Sequence, residues 1–449
     1  MEATPQSTRR TVLDMNFYQW SVLFAAWLGW GFDIFDSLLM NYVAPNAVPT
    51  LLKIPIGTPE AAAATLWWTG IFTSLLLVGW AVGGIIFGKV ADRIGRTKTL
   101  LLTMLLYSIG TAACAFAPNI WVLMLFRIVA SLGIGGEWAA GAAMVAEVVP
   151  EKRRVEAGAL LYTAAPFGLF LATFVTYQVT GVYFTDPARS WRYVFLFGLV
   201  PAAVAFFVRL FIKEPERWKR AAHEDRAKIS ELFTPKYRML TIGGLCMAGT
   251  ALITWWSGNA FIPIVAKGLA SREWNELTAA GVAGLPSIEV MGQQWIRTAT
   301  NAFNLGGLIG TLLTIPIAKH LGRKKMFFIF YLVAAASIMA AFGLDLAPHT
   351  RLYFYFPIGL SVFGIFGSFT FYLPELFPTR LRGTGSGFTY NVGRFIAAFG
   401  PFLVGSIAAS GANALDSAIR VLFWVGVVPL VGLLTLPIVV ETRGRELED

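Results

Sequence analysis

The sequence predicts an all-α integral membrane protein whose twelve spans form two pseudo-symmetric six-helix bundles. Three observations predict it. Of 449 residues, 56% are hydrophobic and 14% charged, where soluble domains are about 45–50% apolar with glycine included and about 25% charged. Twelve apolar stretches approach the roughly 20 residues that a helix needs to cross the hydrocarbon layer. Segments of the first half also recur in the second at a fixed offset, the mark of a duplicated unit.

The spans fall at 18–41, 67–88, 99–117, 120–142, 157–180, 191–212, 239–266, 296–317, 326–346, 352–373, 385–409 and 417–440. Ahead of the first, Thr8-Arg9-Arg10-Thr11-Val12-Leu13 loosely echoes an export signal. Asp33 and Asp36 in the following apolar run, and the lack of a small-residue cleavage site, make span one a retained helix instead. Trp67, Trp68 and Trp191 are end-of-span aromatics of the interfacial belt. Trp255 and Trp256 read equally as belt anchors or as a stacking platform. Span four ends in Glu147-Val-Val-Pro150-Glu-Lys-Arg-Arg154 and span ten in Glu375-Leu-Phe-Pro378-Thr-Arg-Leu-Arg382, with glutamate, proline and arginine each 228 residues apart. Residues 1–212 and 239–449 therefore form the two bundles, and the charged stretch 213–238 is a cytoplasmic connector. The stretch 268–295, too polar to cross, reads as an external loop with an amphipathic turn.

Lysine and arginine fix the orientation. Loops on one face carry 25 of them and loops on the other 8, while Arg127, Arg209 and Arg394 lie inside spans. By the positive-inside rule both termini are cytoplasmic and the protein sits in the plasma membrane. The formal charge of +10 is then topological, and no nucleic acid is expected as a partner. Two cysteines within apolar runs and three histidines exclude a disulfide scaffold and a metal cluster. No cofactor is expected beyond a proton as coupling ion.

Two parallel six-helix repeats with a site at the midplane between them are a transporter layout. Gly88-Lys-Val-Ala-Asp92-Arg93-Ile-Gly95-Arg96-Thr-Lys98, after span two, resembles the loop signature of the major facilitator superfamily. Ala318-Lys-His320-Leu-Gly322-Arg323-Lys-Lys325 is its degenerate second-half copy. The glutamate–proline–arginine repeats, Pro215-Glu216-Arg217-Trp218 and Glu441-Thr442-Arg443-Gly444 are similar to the sugar-porter-like side of that superfamily. The resemblance covers essentially the whole chain and implies a major-facilitator-type fold working as a monomer. Physically, Asp92 with Arg93 and Arg96, Glu147 with Arg154, and Glu375 with Arg382 are charge-assisted latches that hold one face shut and break when it opens.

A charge at the bilayer centre costs at least about 2.5–3.5 kcal/mol, so each one is a functional hypothesis. Asp33 and Asp36 share a face of span one, and Arg127 lies at comparable depth in span four. Such a pair offsets the desolvation of both ions and gives a carboxyl whose protonation depends on conformation. Gly31-Phe32-Asp33 resembles the acid motif of proton-coupled sugar porters. Gly135-Gly136-Glu137-Trp138 and Tyr390-Asn391-Val-Gly393-Arg394 resemble the sialate:proton and metabolite:proton symporter branches. That branch often carries a further aspartate where this chain has Trp30, so its substrate cannot be carried over. Proton coupling is accordingly expected at Asp33, Asp36 and Glu137. Arg394, with Arg127 second, is expected to hold a carboxylate through a two-pronged hydrogen bond. Asn391, Asn304, Asn301, Asn259 and Tyr372 complete the expected substrate site, although such amides also serve simply to join helices.

The function expected is proton-coupled uptake of a small organic anion, such as a monocarboxylate, sugar acid or sialate-like acid, by alternating access. A proton-coupled or facilitative sugar carrier is the alternative, with Gln178 the only glutamine well inside a span. A drug/proton antiporter ranks third, because Ala165-Pro166-Phe-Gly168 only brushes against the exporter signature. No nucleophile–base constellation or phosphate-cradling loop points to an enzyme.

Overall fold

The computed structural model describes residues 15–150, 153–210 and 228–444; within them no side chain is described for 91–92, 96, 137–144, 146–147, 154–155, 201–202, 205, 208–210 and 379. Expectations for the connector before residue 228, and for the side chains of Asp92, Arg96, Glu137, Glu147 and Arg154, lie outside the described residues.

The described residues are helical throughout, without a strand. Ten helical stretches are long and apolar enough to cross a membrane, and spans four (Ile120–Val148) and six (Ser190–Phe197 with Leu199–Leu210) complete the twelve. Span one, Phe17–Leu52, starts at an Asn16 capping box and ends at Lys53 in the left-handed region, φ 59°. Its buried stripe faces spans two (Pro59–Ile94), four and five. Spans three (Arg96–Cys114) and four pack together in the first half. In the second half span eight (Ile288–Leu321) packs on seven (Arg238–Asn259 with Ile262–Ala279) and ten, and span nine (Arg323–Gly343) on twelve (Ala414–Val425 with Val427–Leu434). Large apolar side chains cover the outside, for example Leu125, Phe174, Phe207, Leu403 and Trp424. In lipid that exposure carries no hydrophobic penalty, so the side chains that need explaining are the polar ones inside.

Two differences from the sequence expectations have a common cause. Spans one and two run several turns beyond 18–41 and 67–88. The stretch 268–295, expected as a loop, is helical up to Ala279 and again from Ile288. A helix leaving the hydrocarbon still satisfies its backbone internally, so apolar composition marks where the membrane ends and not where the helix does.

Spans five and ten are broken helices. Span five runs Arg154–Tyr162, Ala164–Thr176 and a π turn at Tyr177–Tyr183. Span ten runs Pro348–Tyr353, Tyr355–Ile358, a π turn at Gly359–Phe363 and Phe366–Glu375. Single π turns widen a helix locally and re-aim side chains, often at functional sites. Here the second one delivers Phe363 and, just beyond it, Phe366 to the space between the halves.

Candidate functional site

A small central cavity lies between the halves. Span one brings Trp30 and Ile34, a four-residue pair on one face. The bare Gly31 beside them lets span five press close: a Cβ on Gly168 would fall 2.1 Å from the Gly31 carbonyl oxygen. Span two adds Trp80, and span five Tyr162 and Ala165. From the other half come Leu252, Trp255 and Trp256 of span seven, Phe363 and Phe366 of span ten, and Tyr390 and Arg394 of span eleven (Thr379–Ala397 with Phe399–Ala409). The rings lean on one another across the halves. Trp80 meets Trp256 edge-on at 5.9 Å, and Tyr162 stacks on Phe366 at 6.1 Å. The sequence left Trp255 and Trp256 open between two roles; both are 4% exposed and line this cavity.

Among the described residues Arg394 is the only charged one of the lining, and it is 2% exposed. Its guanidinium carbon sits 4.4 Å from the Trp80 ring centre and 4.7 Å from that of Tyr390. Such cation–π contacts partly replace lost hydration. One nitrogen donates to Asn391 Oδ1 at 3.1 Å, and no salt bridge engages Arg394 among the described residues. Asn391 and the Tyr390 hydroxyl engage part of the five-donor fork, and the remaining donors are available to something that enters the cavity.

The acids of span one divide. Asp36 Oδ2 lies 3.7 Å from Arg127 Nη1, with both side chains almost fully buried. Arg127 also donates to the carbonyl oxygens of Asp36 and Ser37, each at 3.2 Å, and to Thr111. It is thus tied to span one and is not part of the cavity lining. Asp33 is fully buried one turn away. Asn304 Nδ2 reaches Thr173 Oγ1 at 3.5 Å, in a buried cluster with Tyr42 and Thr300 that joins spans one, five and eight. Asn301 is half-buried beside it on span eight, and Asn259 is buried at the end of its helix with its amide nitrogen unpartnered among the described residues. Tyr372 donates to the Val440 carbonyl at 3.2 Å, well away from the cavity. Of the expected substrate residues, then, the fold brings Arg394 to the cavity wall with Asn391 bonded to it. It places Arg127 and Tyr372 elsewhere.

A model described as "Major Facilitator Superfamily" matches residues 30–401. The chain belongs to that superfamily. It is a multi-pass membrane transporter and not an enzyme. It is 24% identical to the sialic acid transporter of Escherichia coli, over 84% of this chain and 85% of that protein. It is 25% identical to the gentisate transporter of Corynebacterium glutamicum, over 86% of this chain and 81% of that protein. A crystal structure of a D-xylose–proton symporter superposes with a TM-score of 0.72 at 18% identity, covering 96% of this chain and 100% of that one. That likeness concerns the fold.

In this superfamily member the halves touch on both sides of the cavity. On the face with the basic loops, Lys319 of span eight reaches Glu156 of span five at 2.7 Å, with the lysine half exposed. On the opposite face Asn46 of span one, Lys267 of span seven and Glu289 of span eight form a closed triangle. Lys267 Nζ donates to Glu289 Oε2 at 2.7 Å and to Asn46 Oδ1 at 2.5 Å, and Asn46 Nδ2 to Glu289 Oε1 at 2.9 Å. Gln293 adds a bond to Glu289 at 3.0 Å. Beside this, spans two and eleven meet at bare glycines, since a Cβ on Gly405 would fall 2.5 Å from the Leu66 carbonyl oxygen.

The sequence missed Asn46, Lys267, Glu289, Glu156 and Lys319. For the four charged ones the signal was a charge near a span end, and the neutral Asn46 gave none. The expected Glu375/Arg382 latch is arranged otherwise: Arg323 clasps Glu375 with two bonds of 2.7 and 3.1 Å, and Thr442 adds a third. Arg382 Nε donates to the Pro374 carbonyl at 3.2 Å. The two parts join because the loop motif and the C-terminal Glu441-Thr442-Arg443 segment fold back on one another. Glu441 accepts from the backbone amides of Arg323, Lys324 and Arg443. Burial raises its carboxyl, but these amides outweigh that and hold it below the usual carboxylate range. Arg93 is exposed at the end of span two.

Proposed function

We propose that the protein takes up a small organic anion together with a proton, by alternating access, in the plasma membrane with both termini cytoplasmic. One observation carries the reading: a buried arginine, Arg394, projects into an apolar cavity between the halves with no carboxylate of the described chain to neutralise it. A buried cation in apolar surroundings is costly unless paired. The substrate carboxylate is that partner, held by the fork that Asn391 orients. Relatives named for sialic acid and gentisate, both organic acids, support the class.

Coupling is assigned to span one. Asp36 and Arg127 form a buried pair whose partners come from different helices, so a shift of span one against span four changes how far each charge neutralises the other. Asp33, buried one turn nearer the cavity lining of Trp30 and Ile34, is the second candidate carrier. The halves then rock about the cavity, with the Lys319–Glu156 and Asn46–Lys267–Glu289 links breaking in alternation.

The test is radiolabelled uptake into proteoliposomes with an alkaline interior, against protein-free vesicles. The probes are lactate, pyruvate, a sugar acid, sialate and glucose, each with and without an uncoupler. Uncoupler-sensitive accumulation of an acid is expected. Uptake of glucose alone would make the protein a sugar carrier and Arg394 a structural charge.

A further inference from the structure

We infer that the acid this cavity takes is flat and aromatic: a single carboxylate on a planar ring. The inference rests on the anion reading and narrows it. Around Arg394 the wall is almost entirely π surface: Trp30, Trp80, Trp255, Trp256, Phe363 and Phe366. They are not oriented at random. Trp255 stands edge-on to Trp256 at 4.5 Å and to Phe363 at 5.7 Å, while Trp30 is tilted against Trp80 at 5.9 Å. Walls of this kind offer both faces and edges to a guest ring, the two geometries aromatic pairs prefer.

The polar inventory points the same way. The Tyr390 phenol is engaged by both Tyr162 and Arg394. The indole N–H groups of Trp80 and Trp255 are buried without a partner among the described residues. These are donors only, and acceptors for a guest's hydroxyl protons are scarce. A sugar acid with four or five hydroxyls would leave most of them without the bonds they had in water, and a site without matching groups rejects such a ligand. A benzoate-like acid brings one carboxylate for one arginine and otherwise only ring. An oxygen substituent on that ring would also meet a bare indole N–H. The cation–π contacts on Arg394 strengthen the preference, because the rings of Trp80 and Tyr390 fix the fork beside the π wall. Carboxylate and ring are thereby held in one orientation.

Isothermal titration of the purified full-length protein separates the possibilities, with benzoate, 4-hydroxybenzoate, cyclohexanecarboxylate, gluconate and glucose as probes. Benzoate and cyclohexanecarboxylate share a carboxylate and differ in flatness and π character. One or two guest–wall aromatic contacts predict a benzoate preference of roughly tenfold, with gluconate weaker than both. Trp255→Phe should keep that ratio and Trp255→Leu should reduce it several-fold, while the wild-type ratio stands without any variant. Cyclohexanecarboxylate or gluconate binding as tightly as benzoate would overturn the aromatic class and leave the anion reading in place. Binding of glucose alone would overturn both, and failure of benzoate to bind, whatever else does, overturns the class.

Discussion

Replacing Arg394 by lysine keeps the charge and removes the fork, so it isolates what the planar guanidinium does. In the wild type the guanidinium lies 4.4 and 4.7 Å from two ring centres and engages Asn391 and the Tyr390 hydroxyl, and the proposed grip uses two of its remaining N–H groups. A lysine ammonium is a compact point charge with no parallel donors. One of the two charge-assisted bonds to the substrate is then lost, about 1.5–3 kcal/mol. At about 1.4 kcal/mol per tenfold, acid affinity falls roughly 10- to 100-fold. Arg394→Ala removes the counter-charge altogether and leaves a carboxylate buried alone, a loss of about 3–5 kcal/mol that puts binding beyond the usual range of titration. The assay is equilibrium binding of whichever acid is accumulated in proteoliposomes, with thermal unfolding of each variant as the control for packing. Wild-type affinity in Arg394→Lys would refute the two-pronged grip. Wild-type affinity in Arg394→Ala would remove the arginine from the binding site and with it the reason for expecting an anion.

Asp36→Asn is nearly isosteric and should abolish uphill accumulation while exchange of acid across the membrane persists; accumulation intact in this variant would move the proton to Asp33 or elsewhere. Lys267→Gln should open the face opposite the basic loops more than Lys319→Gln opens the other. The first breaks a link with 13% of each charged side chain exposed, the second one with 47% of the lysine exposed, and exposed pairs contribute about 1 kcal/mol or less. Thiol-labelling rates of Ala165→Cys, in a background without Cys114 and Cys246, read this out, and equal rates would contradict it. Gly405→Val should also open that face, since its side chain meets the Leu66 backbone; unchanged labelling would show that the seam is not a closing contact. Because Glu441 is held below the ordinary carboxylate range, its contribution to stability is present above that range and lost as pH falls through its folded value. Thermal unfolding at pH 5 and pH 3 should therefore show a smaller acid loss in Glu441→Gln than in wild type, and equal losses would mean that the amide bonds are not formed.

The sequence by itself determined the class and the framework: membrane protein, twelve spans, duplication and transporter family. These follow from composition and from a motif repeated at a fixed offset, both properties of residues close together in the chain. It also singled out Arg394, Arg127 and the two acids Asp33 and Asp36, because a charge inside an apolar span is conspicuous wherever its partner sits. The tertiary structure alone decided which partner each charge meets. Nothing local distinguishes Asp33 from Asp36 as the neighbour of Arg127, or Arg382 from Arg323 as the clasp of Glu375, since the answer depends on how two helices are rotated and offset. The aromatic cavity was hidden for a related reason. Tryptophans are common at span ends, which left Trp255 and Trp256 open between anchor and platform, and only their packing with Trp30 and Trp80 from two other spans makes a wall of them. The closing links on each face were least legible of all, because Asn46, Lys267 and Glu289 are ordinary polar residues until two halves of the chain fold together and bury them against one another.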